Sequence, residues 1–238
     1  MVTFGASNVK RMREATTSIP IVFGLVDDPV ADGFIESVGR PGTNVTGAAL
    51  AGDALAAKRL ELARELVPRA RRIGVTYYSS EGDQSRARTV LRAAAARLGL
   101  ALVEIDLAES AGGVDEGLRR LAAGRPEAIV PLGFAETIDR DSLRKLAAFQ
   151  ERNHAPIVDW DPDVAISGAV AGLGETGDDH LARMAEVTAV VLEGRTPVGL
   201  IPVSTSVRVR FNVSRSAAAR AGIELPRSIL VRADGVLP

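Results

Sequence analysis

Short apolar runs alternate with longer amphipathic segments along the whole chain. The apolar runs are the length of buried strands, and in the segments between them apolar residues recur every three or four positions, as on one face of a helix. Residues 56, 60, 63 and 67 form one such stripe. The predicted strands are residues 2–4, 21–23, 45–47, 73–77, 102–105, 128–131, 157–159, 169–173 and 207–211.

Helix ends are marked by residues with known preferences for those positions. Ser7 is placed to cap a helix that runs to about Thr17, and Pro29 suits the first turn of a helix that reaches Val38. Gly99 and Gly222 stand where left-handed glycines end helices. Further helices are predicted at residues 53–67, 83–99, 114–123, 178–193 and 214–221, with another that ends near 152.

Strands that alternate with helices predict an α/β fold whose parallel sheets are covered on both faces. The chain has 238 residues, enough for one large or two small domains with their own cores. Glycine-rich stretches at 47–52 and 172–177 are the candidate hinge crossings between such domains. We predict one lobe from residues 1–50 with 173–200 and a second from 51–172, with 201–238 crossing between them.

Composition excludes several functional classes. The net charge of -1 gives no basic excess for nucleic acid or anionic membranes, and the absence of cysteine excludes disulfides, thiolate metal sites and cysteine nucleophiles. No apolar run is long enough to span a membrane. Residues 1–10 do not have the pattern of a signal peptide, so the chain as written is expected to stay in the cytoplasm.

Ligands of parallel α/β sheets bind beyond the carboxyl ends of the strands, so candidate residues are sought in the segments that follow strands. Aromatic residues are only 4% of the chain. The single tryptophan, both tyrosines and one phenylalanine nevertheless fall in or beside these segments. Rings with a few polar groups are the usual lining of a small-molecule site. The candidate ligand-binding residues are Tyr78, Ser79, Ser80, Gly133, Phe134, Trp160, Asp161, Asp27 and Ser7.

Each polar candidate also has a simpler explanation. Ser79 and Ser80 could receive a carboxylate or phosphate at a helix start, or only cap that helix. Asp161 could accept a hydrogen bond from a ligand ammonium, or form a turn before Pro162. Trp160 could stack on a ligand or cover apolar surface. Asp27 and its neighbour at position 28 could face the ligand, but at least one of them is expected to cap the segment that Pro29 opens.

Enzyme signatures are scarce. The two histidines are isolated on predicted helices, and no histidine cluster has metal-ligand spacing. The phosphate-binding patterns G-x-x-x-x-G-K-[ST] and G-x-G-x-x-G and the nucleophile pattern G-x-S-x-G do not occur. The sequence therefore favours a binding protein without cofactor or metal over an enzyme. Asp159 and Asp161 leave an aspartate-based racemase or lyase as the least favoured alternative.

Several stretches together resemble one family, in the same order along nearly the whole chain. They are residues 18–23, 28–30, 40–47, 57–62, 221–223, 226–230 and 232–234. The resemblance is to ABC transporter substrate-binding proteins, the family that includes tryptophan- and tyrosine-binding members.

This resemblance implies a type I periplasmic-binding-protein fold, in which two Rossmann-like lobes clamp a ligand between them. By the same comparison, Ser79 and Ser80 match the loop that receives an amino-acid carboxylate, and Asp161 matches the position that holds the amino group. Partners implied are a small-molecule ligand and the membrane subunits of an ABC importer, in a periplasmic or lipid-anchored extracytoplasmic setting. A ligand-sensing regulatory module on the same fold is the alternative.

Three departures from the family pattern affect these expectations. Residues 132–134 are apolar where amino-acid binders carry a polar stretch, and Trp160 replaces a common glycine, so the pocket is expected to be smaller or more apolar. Family members also begin with an export signal and further βα units, roughly 60–90 residues at about 30 per unit. The first lobe is therefore expected to be incomplete, and its uncovered edge to promote self-association.

Overall fold

The computed structural model describes residues 1–79, 84–107, 113–132, 140–205 and 208–238, with the side chains of 52–54 outside the description. The strands are β1 (Val2–Phe4), β2 (Ile21–Val26), β3 (Val45–Ala49), β4 (Arg72–Tyr77), β5 (Ala101–Asp106), β6 (Ala128–Ile129), β7 (Val158–Asp159), β8 (Ala171–Gly174), β9 (Arg210–Ser214) and β10 (Gly235–Leu237). The helices are α1 (Ala6–Ala15), α2 (Gly52–Leu66), α3 (Ser85–Leu98), α4 (Gly113–Ala123), α5 (Arg140–Asn153), α6 (Val164–Ser167), α7 (Gly177–Glu193), α8 (Arg215–Ala221) and α9 (Arg227–Arg232).

Two compact units make up the chain: unit 1 is Met1–Ala51 with Glu175–Arg208, and unit 2 is Gly52–Gly174 with Val209–Pro238. The C-terminal segment 201–238, predicted to cross between the lobes, is divided between the two units at Arg208. The sequence-based lobe boundaries near residues 50 and 173 lie within two residues of these divisions.

Unit 1 contains, in its described part, a sheet in the order β1-β2-β3 with parallel pairing throughout. Val9, Ile21, Phe23 and Val45 are fully buried in its core. The edge strand β1 leaves Val2 and Phe4 about half exposed. Self-association through this edge stays a prediction.

The described part of unit 2 contains two groups of strands, in the orders β5-β4-β6 and β10-β9-β8-β7. A parallel bridge between Ile129 and Ile157 joins β6 to the residue before β7, so the strands form one continuous surface. The β8–β9 pair is antiparallel, and the other strand pairs of the unit are parallel. The predicted α/β class with parallel sheets is confirmed, with this single exception among the described pairs.

Two predictions about helix starts are wrong. Ser7 is inside α1 and does not cap it, because the chain enters the helix at Gly5 with φ +78°, a left-handed conformation that glycine adopts without strain. Residues 29–38 are turns and not a helix, since Gly33 turns the chain in the left-handed region at φ +71°. Asp28 does act as a cap there, because its Oδ1 accepts a hydrogen bond from the Ala31 amide at 3.0 Å.

The C-terminal stops of the helices follow the sequence closely. Gly99, Gly194 and Gly222 each follow a helix with φ between +64° and +69°. Among the described residues, no helix combines the length and apolar character needed to cross a membrane.

Candidate functional site

The carboxyl ends of parallel strands bring most of the candidate residues of unit 2 to one edge of its sheet. Tyr78 and Ser79 follow β4, and β5 ends at Asp106, which is paired in register with Tyr77. The segment 159–161 leaves the sheet at the same ends of the strands, directly after β7. This edge therefore carries both aromatic side chains and carboxylates.

Asp159 is a buried carboxyl group at the end of β7, with a side chain only 6% exposed. Its Oδ1 accepts a hydrogen bond from the Trp160 amide at 2.8 Å, and the Ser167 side chain also bonds to it. Burial raises the pKa of Asp159 to about 6, and the charge of Asp161 acts in the same direction. The two hydrogen bonds and the positive charge of Arg59 act in the opposite direction. Asp159 can therefore hold or release a proton near neutral pH.

Asp161 is the second buried carboxyl group, with 8% of the residue exposed. Its Oδ1 accepts a hydrogen bond from the Asp163 amide at 2.8 Å, which forms a local turn before α6. Burial raises the pKa of Asp161, and the negative charge of Asp163 acts in the same direction. Among the described residues, no lysine, arginine or histidine forms an ion pair with Asp161. A cation bound beside it would supply that missing charge.

Two glycines of β8 allow the segment 160–162 to pass directly over the sheet. A Cβ on Gly172 would come within 2.1 Å of the Asp161 carbonyl oxygen, and one on Gly174 within 1.9 Å of the Trp160 carbonyl oxygen. These distances are far below van der Waals contact, so any side chain would displace the backbone that carries both residues. The alternating glycines in Ala-Gly-Leu-Gly are the sequence signal for this close approach.

Trp160 is buried, with 8% of its surface exposed. It lines a small, mostly apolar pocket. The other lining residues are Pro131, Leu143, Leu146, Ile157, Asp159 and Ser167. The cavity has a volume of about 10 Å³, room for one water at most. Trp160 is thus packed in the interior beside Asp159, which suits apolar cover more than an open stacking platform.

Ser79 and Tyr78 occupy the loop after β4. The Ser79 amide donates to Asp106 Oδ1 at 3.2 Å, so a carboxylate of the protein already uses this backbone donor. Ser79 itself is exposed, and Tyr78 is half-buried. The side chain of Ser79 lies at the surface, where its hydroxyl could contact an anion.

Three of the predicted contacts, Ser80, Gly133 and Phe134, lie outside the described residues. In unit 1, Ser7 and Asp27 are both half-buried. Each follows a parallel strand, Ser7 after β1 and Asp27 after β2, so both lie at the carboxyl edge of the unit 1 sheet. Their roles in binding stay predictions.

A buried charged network in unit 1 was missed by the sequence reasoning, which treated His180 as an isolated histidine. Glu175 accepts hydrogen bonds from Arg183 Nε at 2.7 Å and Nη2 at 2.6 Å, and from His180 Nδ1 at 3.0 Å. All three residues are less than 9% exposed. The signal was present in the spacing: His180 and Arg183 are three positions apart on one face of α7, and Glu175 just precedes the Thr176 cap of that helix.

The described residues offer no cluster of three or more histidine, cysteine, aspartate or glutamate side chains that could hold a metal ion. The described side chains at the unit 2 edge supply carboxylates, hydroxyls and apolar rings. Such a set suits the ammonium and the apolar body of a small organic ligand.

Comparison with known proteins gives one family. The family described as "ABC transporter substrate binding protein" matches residues 1–237. A protein named "Tyrosine-binding protein" from Clostridioides difficile (strain R20291) is 31% identical over 192 residues, which are 80% of the chain and 53% of that protein. The chain thus spans about half the length of this relative.

Two solved structures share the fold. A conserved domain protein from Vibrio cholerae superposes with a TM-score of 0.85 at 26% identity, covering 99% of this chain and 77% of that one. The ABC domain in complex with L-Trp from "Streptococcus pneumonia" gives a TM-score of 0.81 at 21% identity, covering 99% and 78%. At the latter identity the likeness shows the fold alone.

Proposed function

Because the chain belongs to the family of ABC transporter substrate-binding proteins, we propose that it is the solute-binding component of an ABC importer and that its ligand is a small amino-acid-like molecule. The observation that carries the ligand class is the pair of buried carboxyl groups, Asp159 and Asp161, with no ion pair to Asp161 among the described residues. A ligand ammonium would neutralise their negative charges. A buried carboxylate remains charged at low free-energy cost only when a positive group lies beside it.

The remaining predicted contacts fit a zwitterion with an apolar body. Trp160 and Tyr78 supply apolar surface, and Ser79 with Ser80 supplies donors for a carboxylate. Burial of about 100–150 Å² of apolar ligand surface would contribute roughly 2.5–4 kcal/mol. Charge-assisted hydrogen bonds of about 1.5–3 kcal/mol each would bring the total to micromolar affinity after the cost of association. We include Gly133, Phe134, Ser7 and Asp27 in the proposed set of contacts.

The relatives support this proposal. The protein from Clostridioides difficile is named for tyrosine binding, and the structure from "Streptococcus pneumonia" contains L-Trp. The family also favours binding over catalysis, and over a regulatory sensor on the same fold. By the same reasoning we propose ABC membrane subunits as partners and an extracytoplasmic setting for the whole protein.

A thermal-shift screen with matched ligands tests the charge assignment. L-Tyrosine, tyramine and 3-(4-hydroxyphenyl)propionate share one ring, but tyramine lacks the carboxylate and the propionate lacks the ammonium. We expect L-tyrosine to give the largest shift, tyramine a reduced shift and the propionate none. A ligand at 100 times its Kd should stabilise the protein by about 2.7 kcal/mol. A shift with the propionate but not with tyramine would contradict the role of the aspartates.

A further inference from the structure

The second strand of unit 1 contains an irregular backbone turn at Leu25, one residue before the strand ends at Val26. Leu25 has φ +55°, a left-handed conformation that is costly for a leucine, and the register of β2 against β3 shifts between Phe23 and Val26. Such a conformation persists only where the surroundings hold it in place. Asp27, one of the proposed ligand contacts, lies two residues further along this turn.

His180 on α7 holds this turn directly. Its Nε2 accepts a hydrogen bond from the Leu25 amide at 3.0 Å. The close approach depends on Gly24, because a Cβ there would lie 2.1 Å from Met184 Sδ and 2.9 Å from His180 Nε2. The imidazole is only 3% exposed, so water cannot easily replace it as the acceptor.

The bonding pattern specifies the neutral form of His180. Nδ1 donates to Glu175 Oε2 at 3.0 Å, which leaves Nε2 as the acceptor for the Leu25 amide. A protonated imidazole carries hydrogens on both nitrogens, so its Nε2–H would face the Leu25 N–H and the bond would be lost. Protonation of this one side chain therefore removes the support of the turn.

The charged groups that face His180 in the described residues are Glu175 and Arg183. Burial lowers the pKa of His180, and the Arg183 guanidinium, 3.2 Å from Nδ1, acts in the same direction against the opposing effect of Glu175. Strands β2 and β3 contribute backbone groups here: the Leu25 amide to His180 and the Ala49 carbonyl to Arg183 at 2.9 Å. Acid is thus the condition that converts the acceptor into a donor.

We propose that His180 is a pH-dependent positioning residue for the ligand site: the neutral imidazole fixes the Leu25 turn and with it the placement of Asp27, and protonation releases that turn and weakens ligand binding. The structural half of this proposal stands on the hydrogen bonds of unit 1 alone. The effect on binding rests on the proposed function, since Asp27 is a contact only if the chain binds a ligand there.

Hydrogen exchange by NMR tests the structural half without any ligand. The chain has two histidines, so His154→Gln assigns the imidazole signals of His180. We expect His180 to be neutral with Nδ1 protonated at pH 7.5, and the Leu25 amide to be protected. Protection should fall about tenfold more than the intrinsic exchange rate explains as His180 becomes protonated. An amide whose protection does not change through that titration would overturn the proposal.

The binding half is tested with L-tyrosine as the probe, whose own charges do not change between pH 5 and 7.5. His180→Gln supplies an amide oxygen as acceptor that does not titrate, and His154→Gln is the matched control. We expect the affinity of the wild type to fall about tenfold more than that of His180→Gln between pH 7.5 and the pH at which the NMR titration shows His180 to be protonated, with His154→Gln like the wild type. Parallel profiles in wild type and His180→Gln would contradict the proposal.

The two tests also separate this proposal from the proposed function. If L-tyrosine and its analogues do not bind at any pH, the ligand assignment is wrong, while the exchange of the Leu25 amide still decides the role of His180. If L-tyrosine binds but the Leu25 amide is insensitive to His180, the ligand assignment stands and the positioning role is wrong.

Discussion

The two units each bury carboxyl groups, but they compensate them in different ways. In unit 1, Glu175 receives three hydrogen bonds from Arg183 and His180, and Arg183 also donates to the Ser204 and Ala49 carbonyls. In unit 2, Asp159 and Asp161 receive hydrogen bonds from backbone and hydroxyl groups, and burial raises the pKa of both.

We propose that this difference separates a structural network in unit 1 from the proposed ligand site in unit 2. A buried charge whose partners are all present in the protein holds backbone segments together and leaves nothing for a ligand to satisfy. A buried carboxyl group without an ion-pair partner, such as Asp161, is costly in the free protein and gains from a ligand that brings a cation.

The largest expected effect is at the unit 1 network. Arg183→Met would leave Glu175 buried without its cation and should destabilise the protein by about 3–5 kcal/mol. Urea unfolding followed by circular dichroism measures the loss. Trp160 and both tyrosines belong to unit 2, so intrinsic fluorescence reports that unit separately and should shift less.

Arg195→Met is the matched control for that experiment, because Arg195 is 84% exposed at the side chain and its oxygen partner on Glu193 is 3.9 Å away. A surface pair of this kind contributes at most about 1 kcal/mol. Equal effects of the two substitutions would remove the distinction between the buried network and ordinary surface charge.

Removing the charge of Asp159 should stabilise the protein, whereas Arg183→Met should destabilise it. Its folded pKa of about 6 exceeds the ordinary 3.8, so its contribution to stability is fully present below 3.8 and is lost as the pH rises through 6. Asp159→Asn should therefore be more stable than the wild type at pH 7, by up to roughly 3 kcal/mol less any hydrogen bond lost.

Urea unfolding at pH 5 and 7 checks this prediction, and the advantage of Asp159→Asn should shrink at pH 5. The contribution of His180 to stability depends on pH in the opposite direction, because burial lowers its pKa. This contribution is present above pH 6.5 and is lost as the pH falls through the lowered pKa. Asp163→Asn is the control, an exposed carboxylate close by in the chain. A variant at Asp159 that is less stable than the wild type at pH 7 would contradict the account.

The smallest expected loss of stability is at the glycines under the site. Gly174→Ala introduces a Cβ 1.9 Å from the Trp160 carbonyl oxygen and should cost about 1–3 kcal/mol. Since the displaced segment carries Asp161, ligand affinity should fall as well. Gly177→Ala is the matched control, because its Cβ would meet no atom within 4 Å. Thermal unfolding without L-tyrosine measures the loss of stability, and the additional shift with L-tyrosine measures the loss of ligand affinity.

Much of the fold could be predicted from the sequence because hydrophobic periodicity and helix stops are local signals. Strand and helix positions follow the apolar pattern through most of the described chain, and Gly99 and Gly222 end helices as expected. The helix predicted after Pro29 does not form, because Gly33 turns the chain in the left-handed region. The antiparallel β8–β9 pair depends on long-range pairing that no local pattern encodes.

The positions of the candidate residues in the fold could be predicted from the sequence, but their burial and charge interactions could not. The order of strands and helices places Tyr78, Ser79, Trp160 and Asp161 after strand ends, and the structure puts them there. The burial of Asp159 and the full set of partners around His180 depend on which side chains meet in space. No single segment of sequence carries that information.

Isothermal titration calorimetry of L-tyrosine with the wild type, Asp161→Asn and Asp163→Asn at pH 7.5 tests the central claim most directly. The two substitutions remove the same charge two residues apart, one buried and one exposed. We predict micromolar binding by the wild type, at least about a tenfold loss for Asp161→Asn and a change of less than about twofold for Asp163→Asn. Full affinity in Asp161→Asn would contradict the claim that this buried carboxylate binds the ligand ammonium.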